Sequence, residues 1–208
     1  MPITLQTHGM LIVLAAPSGG GKSTVARALL KADPQLGYSI STTTRPPRRD
    51  EVNGRDYNFV TEDEFRELIA ADAFYEWACV HDNYYGTRRD IVDAKLAQGV
   101  DVVMDLDVMG SLNIKKMNQG AVLVFILPPS LDVLEERLRR RATDDEAVIR
   151  KRLLNARLEI HFAEKYDYVV VNDDLEQTIA TIRLIIQAER HSARHQVVCI
   201  TGDDAEAE

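Results

Sequence analysis

The sequence predicts an α/β fold: a parallel sheet with helices on both faces and a mixed α/β segment inserted into it. Three observations carry this prediction. Short apolar runs rich in β-branched residues alternate with longer helical patterns along most of the chain. The first run leads straight into a glycine-rich turn and then a helix. Between about residues 37 and 93 that rhythm gives way to short aromatic segments and a proline-stiffened turn.

Residues 11–16, 100–106, 121–127 and 168–171 are predominantly apolar runs, as strands buried on both faces require. Helical patterns occupy 23–31, 88–98, 130–140, 145–163 and 175–193. Within the insertion, Tyr38-Ser39-Ile40-Ser41 and Asp56-Tyr57-Asn58-Phe59-Val60 alternate as short strands do. A capping box, Thr61-Glu62-Asp63-Glu64, opens a small helix. The reading is one domain over 1–208, with core segments 8–36, 94–137 and 160–195 and an inserted subdomain at about 37–93. A helical pair follows at about 138–159, and the acidic tail 202–208 is expected to fray.

The turn after the first strand is the chemically richest segment: Ala16-Pro17-Ser18-Gly19-Gly20-Gly21-Lys22-Ser23-Thr24. Glycines let backbone N–H groups converge on phosphate oxygens with no Cβ between them. The following helix adds about half a positive charge at its N-terminus. Lys22 would reach the terminal phosphates, and the Ser23 hydroxyl would ligate Mg²⁺. The spacing G-x-x-x-x-G-K-[ST] asks for glycine where this chain has Ala16. The segment reads as a site for a nucleoside triphosphate.

Composition narrows the class. With 208 residues, 45% hydrophobic and 28% charged, the chain can bury a sizeable core. A net charge of −8 argues against nonspecific binding of nucleic acid or of an anionic membrane, both of which need an extended basic face. Cys79 and Cys199 stand far apart, outside any metal-ligand spacing, which fits a reducing compartment. The N-terminus lacks a secretory pattern and no apolar run is long enough to span a bilayer, so a cytoplasmic location is expected. An isologous dimer is compatible with the sequence, but no pattern supports it.

Positive charge gathers in two further places. Arg45, Arg48 and Arg49 flank Pro46-Pro47, a stiff mount for guanidinium forks that suit a phosphate; a solvated basic loop is the bland alternative. Arg137, Arg139, Arg140 and Arg141, then Lys151 and Arg152, lie among acidic residues. That region reads equally as a salt-bridged helical hairpin.

These strings, in this order, resemble the guanylate kinase family, whose members phosphorylate GMP from ATP. The resemblance covers about residues 11–190. It rests on the phosphate loop, Ser41-Thr42-Thr43-Thr44-Arg45-Pro46-Pro47-Arg48, Glu51-Val52-Asn53-Gly54-Arg55-Asp56-Tyr57 and Asn83-Tyr84-Tyr85-Gly86-Thr87. Asp105-Leu106-Asp107-Val108-Met109-Gly110, Leu127-Pro128-Pro129-Ser130 and Val171-Asn172-Asp173-Asp174 complete it. It implies a P-loop kinase core, with 37–93 as the GMP-binding subdomain and 138–159 as a helical lid.

By this resemblance ATP contacts residues 16–24, Asn172 and Asp173. GMP, and with it dGMP, contacts Ser41, Arg45, Arg48, Tyr57, Glu76, Tyr85, Thr87 and Asp107. Arg45, Arg48, Tyr57 and Tyr85 hold the phosphate, while Glu76 accepts from the guanine N1–H and amine, a donor pair that adenine lacks. Lys22, Arg48, Arg141 and Arg152 serve catalysis, and Ser23 with Asp105, through water, organises Mg²⁺. Family members often carry glycine where this chain has Asp50, and a lid reading Arg-Gly-Arg-Gly where it has Arg139-Arg140-Arg141-Ala142, so turn shape and lid hinge are expected to differ. The alternatives are a kinase for another small phosphate acceptor and a non-catalytic binding module of the same fold. His81 and His161 read as surface or packing residues, and Trp77 as core.

Overall fold

The computed structural model describes residues 3–80, 82–140 and 145–200. In chain order the strands and helices are β1 (Ile3–Thr7), β2 (Leu11–Ala15), α1 (Lys22–Ala32), β3 (Gly37–Tyr38), β4 (Thr42–Thr43), β5 (Asn58–Phe59), α2 (Glu62–Ala70), β6 (Phe74–Val80), β7 (Asn83–Arg88) and α3 (Arg89–Ala97). They continue with β8 (Val102–Asp105), α4 (Val108–Met117), β9 (Val122–Leu127), α5 (Leu131–Arg140), α6 (Glu146–Ile160), β10 (Tyr168–Val171), α7 (Leu175–Arg190) and β11 (Gln196–Ile200). A 3₁₀ turn, His161–Lys165, joins α6 to β10.

The core is a five-stranded parallel sheet in the order β10-β9-β2-β8-β3. All of β2 is buried, and its alternate residues feed two different cores. Ile12 and Leu14 pack beneath α1 and α7 with Leu29, Ile182 and Ile186, while Leu11 and Val13 pack on the other face with Val92, Ile114 and Phe125. That two-sided burial is why the run is apolar at every position. Chain direction diverges on either side of β2, so a crevice opens at the carboxyl ends of β2 and β8, where such sheets place their ligands.

The insertion is a second sheet, β5-β4-β7-β6, capped by α2, whose Thr61 and Glu64 form the expected capping box. Phe65 of α2 stacks on Phe74 and Tyr84. A third small core, built by Leu134, Leu138, Ile149 and Ala156, holds α5 and α6 together as a hairpin.

Several elements differ from the sequence reading. Gly37–Tyr38 pairs with β8 as the edge of the parallel sheet, and the strand of the inserted sheet is Thr42–Thr43 instead. Helix α4 was not anticipated because its inner face carries Ser111, fully buried and hydrogen-bonded to Tyr166, which interrupts the apolar stripe. The β6–β7 hairpin escaped notice because one face meets solvent: Trp77 is 48% exposed and lies against Tyr84, which corrects its expected place in the core. The ribbon of β1 and β11 joins segments 195 positions apart at Thr4 and Cys199, a pairing no local pattern encodes. No helix among the described residues is long and apolar enough to cross a membrane. His161 sits exposed on the 3₁₀ turn. His81, Arg141, Ala142 and the tail 202–208 lie outside the described residues.

Candidate active site

The glycine turn joins β2 to α1 at the centre of the crevice. Gly21 caps α1 in the left-handed region (φ 93°), and Gly19 has φ 88°; side chains adopt neither readily. Space is equally restrictive, because a Cβ on Gly21 would lie 2.7 Å from Asn172 Nδ2. Ala16 belongs to the buried core and needs no positive φ, so its methyl group is tolerated where the spacing asks for glycine. Asp50 likewise has no positive φ; the left-handed residue of that loop is Gly54.

Lys22 stands at the start of α1. Burial pushes its ammonium below the ordinary lysine value, against the opposing fields of Asp105, Asp107, Glu76 and Glu159. The β2–β8 register sets Asp105 beside Leu14, and so next to the turn. Ser23 Oγ donates to Asp105 Oδ2 at 2.9 Å and Tyr38 Oη to Asp105 Oδ1 at 2.5 Å. This pair of hard oxygens, a hydroxyl and a carboxylate in contact, suits Mg²⁺ completed by waters and phosphates. Among the described residues no group of three or more His, Cys, Asp and Glu side chains could hold a metal by itself.

A cavity of about 630 Å³ opens on this pair. Ser23, Tyr38 and Asp105 of the core line it together with Ser41, Arg48, Glu51, Tyr57 and Tyr85 of the insertion. Arg45 flanks it, its Nη2 donating to both Glu51 carboxylate oxygens at 2.8 and 2.9 Å, with its guanidinium over the Tyr57 ring. Glu51 also accepts from the Arg48 amide at 2.8 Å; Arg45 first, then that amide, hold its carboxyl below the usual range. One carboxylate thus fixes both halves of the arginine mount.

Deeper in, Glu76 of β6 and Asp107 line a second cavity of about 400 Å³. Thr87 is buried and donates to Glu76 Oε1 at 2.8 Å. Burial pushes Glu76 above the usual carboxylate range, partly offset by the Thr87 bond and by Lys22. Asp107 accepts from the Gly110 amide at 2.7 Å and so caps α4.

On the opposite side, Gly19, Gly21, Thr24, Arg137, Asn172, Asp173 and Leu175 line a cavity of about 300 Å³. Asn172 is buried, and its amide donates to the Gly20 carbonyl at 3.2 Å, bracing the turn as well as lining the cavity. Arg137 donates to the Asn172 carbonyl at 2.9 Å and leaves buried Nη1 without a protein partner.

The structure therefore gathers Lys22, Ser23, Asp105 and Asp107, and brings Ser41, Arg48, Tyr57 and Tyr85 to the same cavity as Ser23 and Asp105. Arg152 lies on α6, in the hairpin beyond the turn. Tyr38, Glu51 and Glu159 also belong to this constellation and were missed. Tyr38 read as a strand residue, and nothing local marks Glu51 or Glu159 as facing the site.

Comparison with known proteins gives the family. The guanylate kinase family model matches residues 8–189. A guanylate kinase from Rickettsia felis is 49% identical over 191 residues, covering 92% of this chain and 100% of its own. One from Rhizobium meliloti is 48% identical over 190 residues, covering 91% and 87%. The crystal structure of guanylate kinase from Anaplasma phagocytophilum matches with a TM-score of 0.71 at 36% identity, covering 93% of this chain and 92% of that one. The chain belongs to the guanylate kinase family.

Proposed function

We propose that this chain moves the γ-phosphoryl group of ATP directly onto the phosphate of GMP, and of dGMP, in one in-line step. The observation that carries the reading is the shared cavity. Arg48, Tyr57 and Tyr85 line the same cavity as Ser23 and Asp105, which supports an acceptor phosphate and the donor's terminal phosphates meeting in one space. Such transfer needs no protein nucleophile; alignment and charge stabilisation supply the rate.

The glycine turn, residues 16–24, cradles the donor phosphates, while Asn172 and Asp173 border the adenine. Arg45, Arg48, Tyr57 and Tyr85 take the acceptor phosphate. Ser41, Glu76, Thr87 and Asp107 surround the guanine, with Glu76 as the double acceptor for its N1–H and amine. Lys22, Arg48, Arg141 and Arg152 neutralise charge that develops on the transferring group. Ser23 and Asp105, the latter through water, hold Mg²⁺, which screens the donor phosphates when bound. The α5–α6 hairpin closes as a lid and excludes water, which would otherwise compete as acceptor.

The reading is tested by ADP release across GMP, dGMP, AMP, CMP, UMP and ribose bisphosphate. GMP and dGMP are expected to turn over fastest, and faster turnover of any non-guanine acceptor overturns the assignment. A second expectation concerns the arginine mount. Arg45→Ala should weaken GMP about a hundredfold, through loss of a guanidinium–phosphate contact. Glu51→Ala, which frees the guanidinium without removing it, should weaken GMP about tenfold. Calorimetric titration with GMP checks both, and an unchanged GMP affinity in Arg45→Ala refutes the role of Arg45.

A further inference from the structure

The ATP-binding turn is tied to the helical hairpin by a bond that the reaction chemistry does not call for. The Ser18 amide donates to Glu159 Oε2 at 2.9 Å, joining residues 141 positions apart. A carboxylate is an unexpected neighbour for a pocket that receives a triphosphate, yet Glu159 lines the same cavity of about 320 Å³ as the turn and Lys22. Its charge is met by the Lys22 ammonium, which lies in its field.

The turn also approaches the hairpin at Gly19, where a Cβ would lie 2.8 Å from Leu138 Cδ2 of α5. That approach is to α5 and sets no angle for the Glu159 end of α6, whereas a hydrogen bond fixes distance and angle. Glu159 and Arg152 are seven residues apart on α6, two turns and about 10 Å along one face. Ala156, fully buried against α5, lies between them. Even a slight roll of α6 about this packed seam would carry the long Arg152 side chain by an ångström or so relative to the turn.

We propose that Glu159 is a positioning residue: its bond to the Ser18 amide sets the rotation of α6 and so registers Arg152 on the transferring phosphates. The inference rests on Arg152 having the charge-stabilising role given above. Misplacement by about 1 Å is enough to cost about a hundredfold in rate.

The test is the single-turnover rate of phosphoryl transfer in Glu159→Met, Glu159→Gln, Arg152→Ala and the Glu159→Met/Arg152→Ala pair, with GMP affinity and Tm measured on each. Methionine matches glutamate in length and helix preference but lacks an acceptor oxygen, whereas glutamine keeps one. Glu159→Met is expected to slow transfer about tenfold with GMP affinity unchanged. Glu159→Gln should stay within about threefold of the parent, since its oxygen preserves the bond. In the Arg152→Ala background Glu159→Met should add less than about twofold, as it does when one residue acts through another.

A purely structural Glu159 lowers Tm and slows transfer equally in both backgrounds, which overturns the proposal. Glutamine failing as badly as methionine overturns it too, because charge would then matter and not the bond. Tighter ATP binding in Glu159→Met without slower transfer makes Glu159 a competitor for the phosphate site, again against the proposal. An unchanged rate in Arg152→Ala alone refutes the assigned role of Arg152 and the inference with it. Should Glu159→Met not fold, Glu159→Asp, one methylene too short to reach Ser18, replaces it with the same expectations.

Discussion

Lys22→Ala is expected to lower turnover about a thousandfold while leaving GMP affinity within about threefold of the parent. The magnitude is that of removing one preorganised charge from a desolvated transition state. Lys22 stands in the phosphate turn, whereas the arginine mount for the acceptor phosphate is assembled from Arg45, Arg48 and Glu51 on the other side of the crevice. Coupled ADP release and GMP titration separate the two effects. A GMP affinity that collapses while turnover survives would reverse the roles of the two sides. The same lysine sets a pH limit. Burial lowers its pKa in the empty site, so as pH rises its ammonium is lost earlier than from a free lysine, and kcat/KM for ATP starts to fall below the ordinary lysine value. An alkaline limb at or above the ordinary value would contradict that account.

Glu76→Gln is expected to reduce kcat/KM for GMP about a hundredfold and to narrow its advantage over AMP. The amide loses the charged double acceptor and turns a donor toward the base's own donors. The same change should stabilise the empty protein. Burial raises the Glu76 pKa, so the folded state favours the protonated carboxyl, and ionised Glu76 costs stability above that value. A neutral amide that still accepts from Thr87 removes the cost, and Tm is expected to rise by about 2 °C. GMP binding by the parent should weaken as pH falls through the raised Glu76 value, and Glu76→Gln should lack that limb. Base preference that survives the substitution would remove Glu76 from the guanine pocket. A lower Tm would remove the stability argument.

How far the site could be read in advance depended on how locally each residue announces itself. The glycine turn is legible because glycines, lysine and hydroxyls must be consecutive to form a phosphate cradle, and strand and helix must flank it. Arg45 and Arg48 are legible as a stiffened basic pair, but not as a mount held by Glu51, since that carboxylate could as well have faced solvent. Glu76 is silent by itself: one carboxylate in an aromatic segment gains meaning only when β6 pairs with β7 and Thr87 turns its hydroxyl toward it. Helix α4 was obscured by a buried serine, and Trp77 misled because large aromatics on a two-stranded hairpin face can stay half exposed.

From the sequence alone came the α/β class, the four long strands, the cap of α2 and the phosphate turn. These are set by neighbours within a few residues, where periodicity, glycine freedom and capping act directly. Tertiary structure alone decided which carboxylates face Lys22, that Tyr38 closes on Asp105 from the edge of the parallel sheet, and that Glu159 reaches the Ser18 amide from α6. The physical reason is separation. Those contacts join residues 67 and 141 positions apart, and their geometry is fixed by strand order and helix packing, which no window of neighbouring residues contains.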